Sequence, residues 1–213
     1  MDQATGQTAY VDFARILARN STYHPVTGKI VFARSTMIGN ETAFNGNTSA
    51  IIPLPERFFG GGGTTHRGFP FNQAGPRDIN TGFPVGGTFL FFNQSEMRFP
   101  LIGDNIGGVL FHDFGNIYST INAFSLRQTQ RNLQDFNYMV HAVGFGVRYR
   151  TPIGPFRLDL AYSINPPYFI GFQANNLQDL IDAGVNPCQS QPQKCVLQHI
   201  SHFQVSFSIG QTF

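Results

Sequence analysis

The stretch FQVSFSIGQTF, residues 203–213, alternates apolar and polar or small side chains along most of its length. The apolar positions Phe203, Val205, Phe207 and Ile209 are spaced two residues apart, and Phe213 is the last residue of the chain. A period of two puts one set of side chains on each face of a β-strand. This stretch therefore predicts a strand with one face in an apolar environment and the other in a polar one.

Six more segments carry strand chemistry, with apolar and aromatic residues bounded by Gly, Pro, Asn and Ser. They are residues 8–19, 29–39, 85–99, 107–118, 138–150 and 156–164. The first of them is expected to end at Asn20-Ser21-Thr22, which has the composition of a turn. Together with residues 203–213 these segments predict an all-β, antiparallel fold of about seven or eight strands.

The composition is unusual for a soluble domain, with 12% charged and 14% aromatic residues, 23 Phe and no Trp. The net charge of +2 is small and its cations are scattered, which argues against nucleic acid as a partner. No apolar run approaches the roughly 18 residues of a membrane-spanning helix. A membrane protein of this composition is expected to be a β-barrel, because only helices and closed barrels satisfy every backbone group in lipid.

Connection lengths separate a membrane barrel from a soluble sandwich, which alternation alone leaves open. The connections after residues 19, 99 and 150 are short, whereas those after residues 39, 118 and 164 are long. Short turns at one end and long loops at the other are typical of outer-membrane barrels, in which the long loops are extracellular. The sequence therefore predicts that residues 1–213 form a transmembrane β-barrel. The start lacks a basic region followed by an apolar core, so we expect either a mature chain without its signal peptide or a fragment with an added Met.

The segment GGGGTTHRGFP, residues 60–70, lies in the first long loop, residues 40–82. Glycines beside a single Arg suggest close backbone packing around an Arg that needs a buried acidic partner. The loop is expected to fold inward, because its Phe residues would otherwise be exposed. A phosphate cradle is disfavoured, since neither a Lys-Ser/Thr pair nor a helix start follows the glycines.

Several motifs together resemble one known family. They are PLPERFFGGGG (53–63), RGF (67–69), GPRD (75–78), SEMRFP (95–100), LFHDFGN (110–116), GFGVRYRTPIGPF (144–156) and FSIGQTF (207–213). In this order they resemble the C-terminal half of the barrel of the BamA and TamA superfamily, the bacterial surface-antigen family of outer-membrane assembly proteins. The resemblance covers nearly the whole chain.

The resemblance implies a set of residues inside the barrel. Arg67, Gly68 and Phe69 match the family's signature on a loop that folds into the lumen. Its partners there match Glu96 on one strand and Phe111 and Asp113 on the next. Two carboxylates on neighbouring strands are the partners that a guanidinium in a narrow barrel requires. The alternative is that Glu96 and Asp113 are ordinary polar residues lining the lumen.

The last strand resembles the family's C-terminal assembly signal. The matching positions are Phe203, Val205, Phe207, Ile209, Gly210 and Phe213. The alternative is a lipid-facing strand without a signalling role.

The family implies a location in the bacterial outer membrane, contact with its lipid, and assistance to unfolded outer-membrane clients during insertion. Two departures qualify this expectation. The sequence contains no region that resembles the family's POTRA domains, and it has strand-like segments for only about half of the family's barrel. The second hypothesis is therefore a small stand-alone barrel acting as a passive pore or structural protein. An odd strand count would require an eighth strand from a long loop, or a homo-oligomer formed through the open edges.

Other chemistry is sparse. Cys188 and Cys195 are expected to form a disulfide, as is typical of an exported loop, while a metal site would lack companion ligands. We expect no cofactor, no metal and no enzymatic activity, because no nucleophile and base have a distinctive spacing. Residues 175–183 are predicted to form a short helix.

Overall fold

Seven antiparallel strands form one sheet in the computed structural model, which describes residues 11–44, 52–103, 105–152 and 154–210. In sheet order the strands are β1 (Phe13–Thr27), β2 (Ile30–Ala43), β3 (Phe89–Ile102), β4 (Ile106–Tyr118), β5 (Val140–Tyr149), β6 (Phe156–Ser163) and β9 (Phe203–Ile209). Two further strands, β7 (Tyr168–Phe172) and β8 (Cys195–His199), pair only with each other in the described chain. The predicted all-β antiparallel fold is confirmed.

The main sheet has two chemically different faces. The inner face, which carries the long loop, includes Glu96 of β3 and Asp159 of β6, both about 1% exposed. The outer face includes Val205 and Phe207 of β9, which are 71% and 65% exposed. A strand with polar groups buried on one side and apolar groups exposed on the other is what a membrane barrel requires.

The sheet has a turn end and a loop end. At the turn end, residues 28–29, 103–105 and 150–155 connect successive strands. At the loop end the connections span residues 44–88, 119–139 and 164–202, and the last of these contains the β7–β8 hairpin. The predicted alternation of short and long connections is confirmed.

The first long connection packs against the inner face near the loop end. Its Phe58 and Phe69, both buried, join a core with Leu90 and Phe92 of β3 and Ile117 of β4. This loop begins after β2 ends at Ala43 and continues to β3 at Phe89, so it differs at both ends from the expected range of 40–82. The expected inward fold thus removes Phe58 and Phe69 from solvent, whereas Phe71 and Phe83 of the same connection stay more than half exposed.

The expected end of the first strand is wrong. The strand does not end at Arg19 but continues through Asn20 and Ser21 to Thr27. Asn20 is paired with Thr36, and the Ser21 hydroxyl lies 3.2 Å from the hydroxyl of Ser35. Because the second strand supplies partners along the whole hairpin, sheet pairing overrides the local preference of these residues for a turn.

The last connection builds its own small structure. Helix α1 (Leu177–Ala183) lies within the predicted helical range, and the side chain of Asn176 accepts a hydrogen bond from the backbone of Asp179 at 2.9 Å. Helix α2 (Pro187–Ser190) follows. Cys188 and Cys195 form a disulfide with a Cα–Cα distance of 5.5 Å. Since β7 and β8 pair with each other, neither supplies the main sheet with an eighth strand in the described chain.

The sheet has two edges, β1 and β9, and neither edge pairs with another strand among the described residues. Residues 1–10 and 211–213 lie outside the described residues, so the structure does not place Phe213 of the expected C-terminal signal. No described helix has the length and apolar character to cross a membrane.

Candidate functional site

A tight turn shapes the Gly-rich segment. The backbone N–H of Gly62 donates to the carbonyl of Phe69 at 2.9 Å, and that of His66 donates to the carbonyl of Gly62 at 3.1 Å. Gly61 has a φ of +115°, and a Cβ there would lie 2.2 Å from the Pro70 carbonyl oxygen. Only glycine fits this position, both for its backbone conformation and for space. The turn directs the side chain of Arg67 onto the inner face of the sheet.

Arg67 is completely buried, and acidic groups of two strands hold it. Its Nε and Nη2 donate to the two carboxylate oxygens of Asp113 at 2.8 and 2.6 Å. Its Nη1 donates to Glu96 Oε1 at 2.6 Å. The guanidinium also lies 3.5 Å from the centroid of the Phe111 ring. Bidentate pairing and stacking both suit a planar guanidinium better than an ammonium group.

Strand register explains why these partners meet. Glu96 of β3 is paired with Phe111 of β4, and Asp113 follows two residues later on the same face. The structure thus brings together Arg67, Glu96, Phe111 and Asp113, the residues indicated by the resemblance. We call these four residues the lumen cluster.

Four more charged side chains extend the lumen cluster and were missed from the sequence. Arg98 donates to Glu96 Oε2 at 2.8 Å, and Arg148 lies 2.6 Å from Asp159. Arg157 is 3.5 Å from Asp159, whose Oδ2 is 3.9 Å from Arg67. The alternation of β5 and β6 was a usable signal, because it places Arg148, Arg157 and Asp159 on the inner face.

His66 and Gly68 complete the packing around Arg67. The Nδ1 atom of His66 accepts a hydrogen bond from the Gly68 N–H at 3.1 Å, so Nε2 carries the proton that is donated to the Val140 carbonyl at 3.0 Å. Complete burial lowers the pKa of His66, consistent with this neutral form. A Cβ on Gly68 would lie 2.6 Å from the Cβ of Ala142. Sequence reasoning identified Gly68 but not His66.

Phe69 fills the apolar side of the same turn. It is 1% exposed and its ring meets that of His66 edge to face, with centroids 5.0 Å apart. The polar and apolar contacts together fix the loop to β3, β4 and β5. The role that these contacts support is the positioning of the loop on the inner face.

The residues expected to form the C-terminal signal lie apart from the lumen cluster. Phe203, Val205, Phe207 and Ile209 line the outer face of β9 and are all more than half exposed. Gly210, with a φ of +94°, donates its N–H to the Pro155 carbonyl at 2.8 Å. The inner face of β9 meets the long loop, because a Cβ on Gly63 would lie 3.4 Å from the hydroxyl oxygen of Ser206.

A second buried arginine links the long loop to the β7–β8 hairpin. Arg77 donates to the Gly82 carbonyl at 2.8 Å and to the Gln73 side chain at 2.8 Å. Its guanidinium lies 4.1 Å from the centroid of the Phe169 ring on β7. Burial lowers the pKa of Arg77 to about 10. Sequence reasoning gave this residue no role.

The described residues contain no group of three or more His, Cys, Asp or Glu side chains arranged to hold a metal ion.

Comparison with known proteins gives a family match and a structural match. The model of the Omp85 superfamily domain matches residues 3–213. The fold is similar to the crystal structure of BamA from Haemophilus ducreyi lacking POTRA domains 1–3, with a TM-score of 0.60 and 18% sequence identity. That alignment covers 92% of this chain and 35% of the BamA chain, so this chain spans about a third of the length of the crystallised chain that it matches.

Proposed function

The chain belongs to the Omp85 superfamily, an outer-membrane protein family of Gram-negative bacteria, and on that premise we propose that it acts in outer-membrane protein assembly. Its proposed role is that of the C-terminal part of a BamA-like barrel, which assists the insertion of other barrels. The outer-membrane location of this chain is part of the proposal, as is contact of its outer face with lipid.

The observation that carries this proposal is the lumen cluster. A completely buried Arg67, held by Asp113 and Glu96, attaches the long loop to the inner face of the sheet. Such a network is expensive to bury unless its geometry is complete, and here each oxygen of Asp113 accepts a hydrogen bond from Arg67. An inward loop fixed in this way keeps the inner face ordered, while the strands at the edges of the sheet remain available for pairing with another strand.

The edge strands are the proposed working surface. β1 and β9 each present one side without a strand partner among the described residues. An unpaired edge is a template on which an extended client segment can add as a new strand. Closure of the barrel by a second copy of this chain would use the same edges and would compete with clients.

A passive pore is the second candidate, and the structure disfavours it. The long loop occupies the inner face near the loop end, with Phe58, Phe69 and Ala74 buried in the core there. Free diffusion would require this packed segment to leave. A non-enzymatic role remains part of the main proposal.

Client folding in liposomes tests the proposal. The refolded chain is incorporated into vesicles, and the rate at which an unfolded outer-membrane barrel becomes heat-modifiable is measured with and without it. We expect acceleration by the intact chain and a smaller acceleration by Arg67→Ala. Arg131→Ala is the matched control, because Arg131 is an exposed arginine on a loop-end connection. Equal rates with and without the chain would refute the proposal.

A further inference from the structure

A cavity of about 720 Å³ opens on the inner face at the turn end of the sheet. It lies beyond the lumen cluster, between the short connections of the three hairpins. Five of its lining residues are cationic, namely Lys29, Arg98, Arg148, Arg150 and Arg157. None of the described residues that line it is Asp or Glu. The charged residues among the described lining are therefore all cationic.

Arg157 is buried and Arg148 is partly buried, and the two share one carboxylate. Arg157 has a side chain only 4% exposed, and its acceptor Asp159, 3.5 Å away, also pairs with Arg148 at 2.6 Å. The Nη2 atom of Arg148 is buried and has no hydrogen-bond acceptor in the described chain, with Glu96 Oε1 3.7 Å away. Buried donors without acceptors are costly, so a ligand that brings acceptors would be stabilised here.

Local charge counts favour an anion. Among the described residues of the lumen cluster and its extension, the four cations Arg67, Arg98, Arg148 and Arg157 meet three carboxylates, those of Glu96, Asp113 and Asp159. Arg150, which is exposed at the mouth of the cavity, adds a further cation. Walls of one charge sign raise the local concentration of a ligand of the opposite sign.

The shape and the apolar part of the lining indicate the kind of anion. The cavity is lined, in addition to the cations, by Val31, Phe99, Pro100, Val109 and Pro155. Its volume is within the range of about 300–1,000 Å³ typical of ligand pockets, which exceeds the needs of an inorganic ion. Its position on the inner face separates it from the exposed apolar outer face, where lipid is expected.

We propose that this cavity binds an acidic polypeptide segment, whose carboxylates pair with Arg148, Arg150 and Arg157. The inference rests on the proposed function in one respect only, the orientation of the chain in the membrane. The turn end of an outer-membrane barrel faces the periplasm. A segment entering from that side reaches the cavity between the short turns. Its side chains would contact the apolar walls while its carboxylates supply the missing acceptors.

Binding of a fluorescein-labelled hexaglutamate peptide to the refolded chain in detergent micelles tests this. We expect saturable binding that weakens as salt is raised, and no comparable binding of hexaglutamine or hexalysine. Arg150→Gln and Arg157→Gln should each weaken binding about tenfold, the loss typical of one charge-assisted contact. Arg150 is exposed, so its variant is expected to fold, and heat modifiability checks both variants.

Arg34→Gln and Arg131→Gln are matched controls, because Arg34 is exposed on the outer face of β2 and Arg131 on a loop-end connection. Equal loss of binding in the controls would overturn the assignment, as would unchanged binding in the cavity variants. Competition by inorganic phosphate at the peptide's own concentration, or preferential binding to anionic phospholipid vesicles, would overturn the polypeptide assignment. Peptide binding is measured without clients, so it can succeed or fail independently of insertion activity.

Discussion

Arg67 and Asp113, 46 residues apart in the chain, are joined by three hydrogen bonds, two from the guanidinium and one from the Arg67 backbone N–H at 2.9 Å. The backbone bond fixes the position of the loop, and the side-chain bonds fix its orientation. Asp113 and Glu96 thus supply the buried guanidinium with hydrogen-bond acceptors on two neighbouring strands.

Arg67→Ala should release the long loop from the inner face. It leaves Asp113 and Glu96 buried without their main partner, a change that typically costs about 3–5 kcal/mol of stability. We expect faster proteolysis within residues 52–88 and a lower unfolding temperature of the heat-modifiable form. Arg67→Lys should recover only part of the loss, because an ammonium group cannot reproduce the bidentate contact. Unchanged protease resistance in Arg67→Ala would contradict this role.

Gly68→Ala should destabilise the same region through steric overlap, and not through the loss of an ion pair. The new Cβ would lie 2.6 Å from the Cβ of Ala142, and relief of such overlap typically costs about 1–3 kcal/mol. Adding Ala142→Gly should recover part of the stability, which a double-mutant cycle by thermal unfolding measures. Gly107→Ala is the control, since its Cβ meets only ordinary contacts, at 3.4 Å and beyond. Equal effects at both glycines would exclude overlap as the cause.

Arg77→Ala should uncouple the long loop from the β7–β8 hairpin while leaving the lumen cluster in place. The variant loses the hydrogen bond to Gly82 and the stacking on Phe169. We expect faster amide exchange at the Phe172 N–H, which donates to the Thr81 carbonyl across this contact. Exchange at the Arg67 N–H should stay as slow as in the parent chain. Parallel acceleration at both amides would show that the loop moves as one unit.

The connection at residues 119–139 should loosen at acidic pH. Burial by itself raises the pKa of Asp135, but hydrogen bonds from Arg127 and from the backbone of Arg131 and Asn137 outweigh it and hold that pKa below its ordinary value. A carboxyl with a lowered folded-state pKa stabilises the fold above its ordinary pKa and ceases to do so as the pH falls through the folded value.

Limited proteolysis of this connection at pH 7, 4 and 3 measures the effect. We expect protection at pH 7 that declines below about pH 4, where the unfolded carboxyl takes up its proton. In Asp135→Asn the protection at pH 7 should already be low and nearly independent of pH. A pH profile in the variant that matches the parent would assign the transition to another group.

Reduction of the disulfide should affect only the end of the last connection. Cys188 and Cys195 close a short loop, for which chain entropy predicts about 2–3 kcal/mol of local stabilisation. In the double variant Cys188→Ser, Cys195→Ser we expect faster amide hydrogen exchange at the Val196 N–H. The heat modifiability of the barrel should be kept. Loss of the heat-modifiable form would show that this connection also stabilises the main sheet.

Strand chemistry made the seven strands of the main sheet predictable, since it is a local property of each segment. The hairpin of β7 and β8 was not predicted, because the pairing of Tyr168 with His199 joins segments separated by two helices. The extension of β1 was missed for a related reason. The partner of Asn20 lies on the next strand, and local composition does not reveal it.

The lumen cluster was only partly accessible from sequence. Composition indicated that Arg67 needs an acidic partner, but the choice of Glu96 and Asp113 depended on the family resemblance. Register then explains their meeting, since Glu96 faces Phe111 across the two strands. The contribution of His66 could not be predicted, because it depends on the carbonyl of Val140, which the fold brings close.

The attachment of Arg67 to more than one strand also couples the position of the loop to the register of the sheet. Its acceptors belong to β3 and β4, with Asp159 of β6 only 3.9 Å away. A slip of one residue between β3 and β4 would turn Asp113 to the opposite face. The docked loop and the correct register of β3 and β4 therefore stabilise each other. A sheet with the wrong register would lack the main acceptor of Arg67, so the cluster favours the correctly paired sheet over its misregistered competitors.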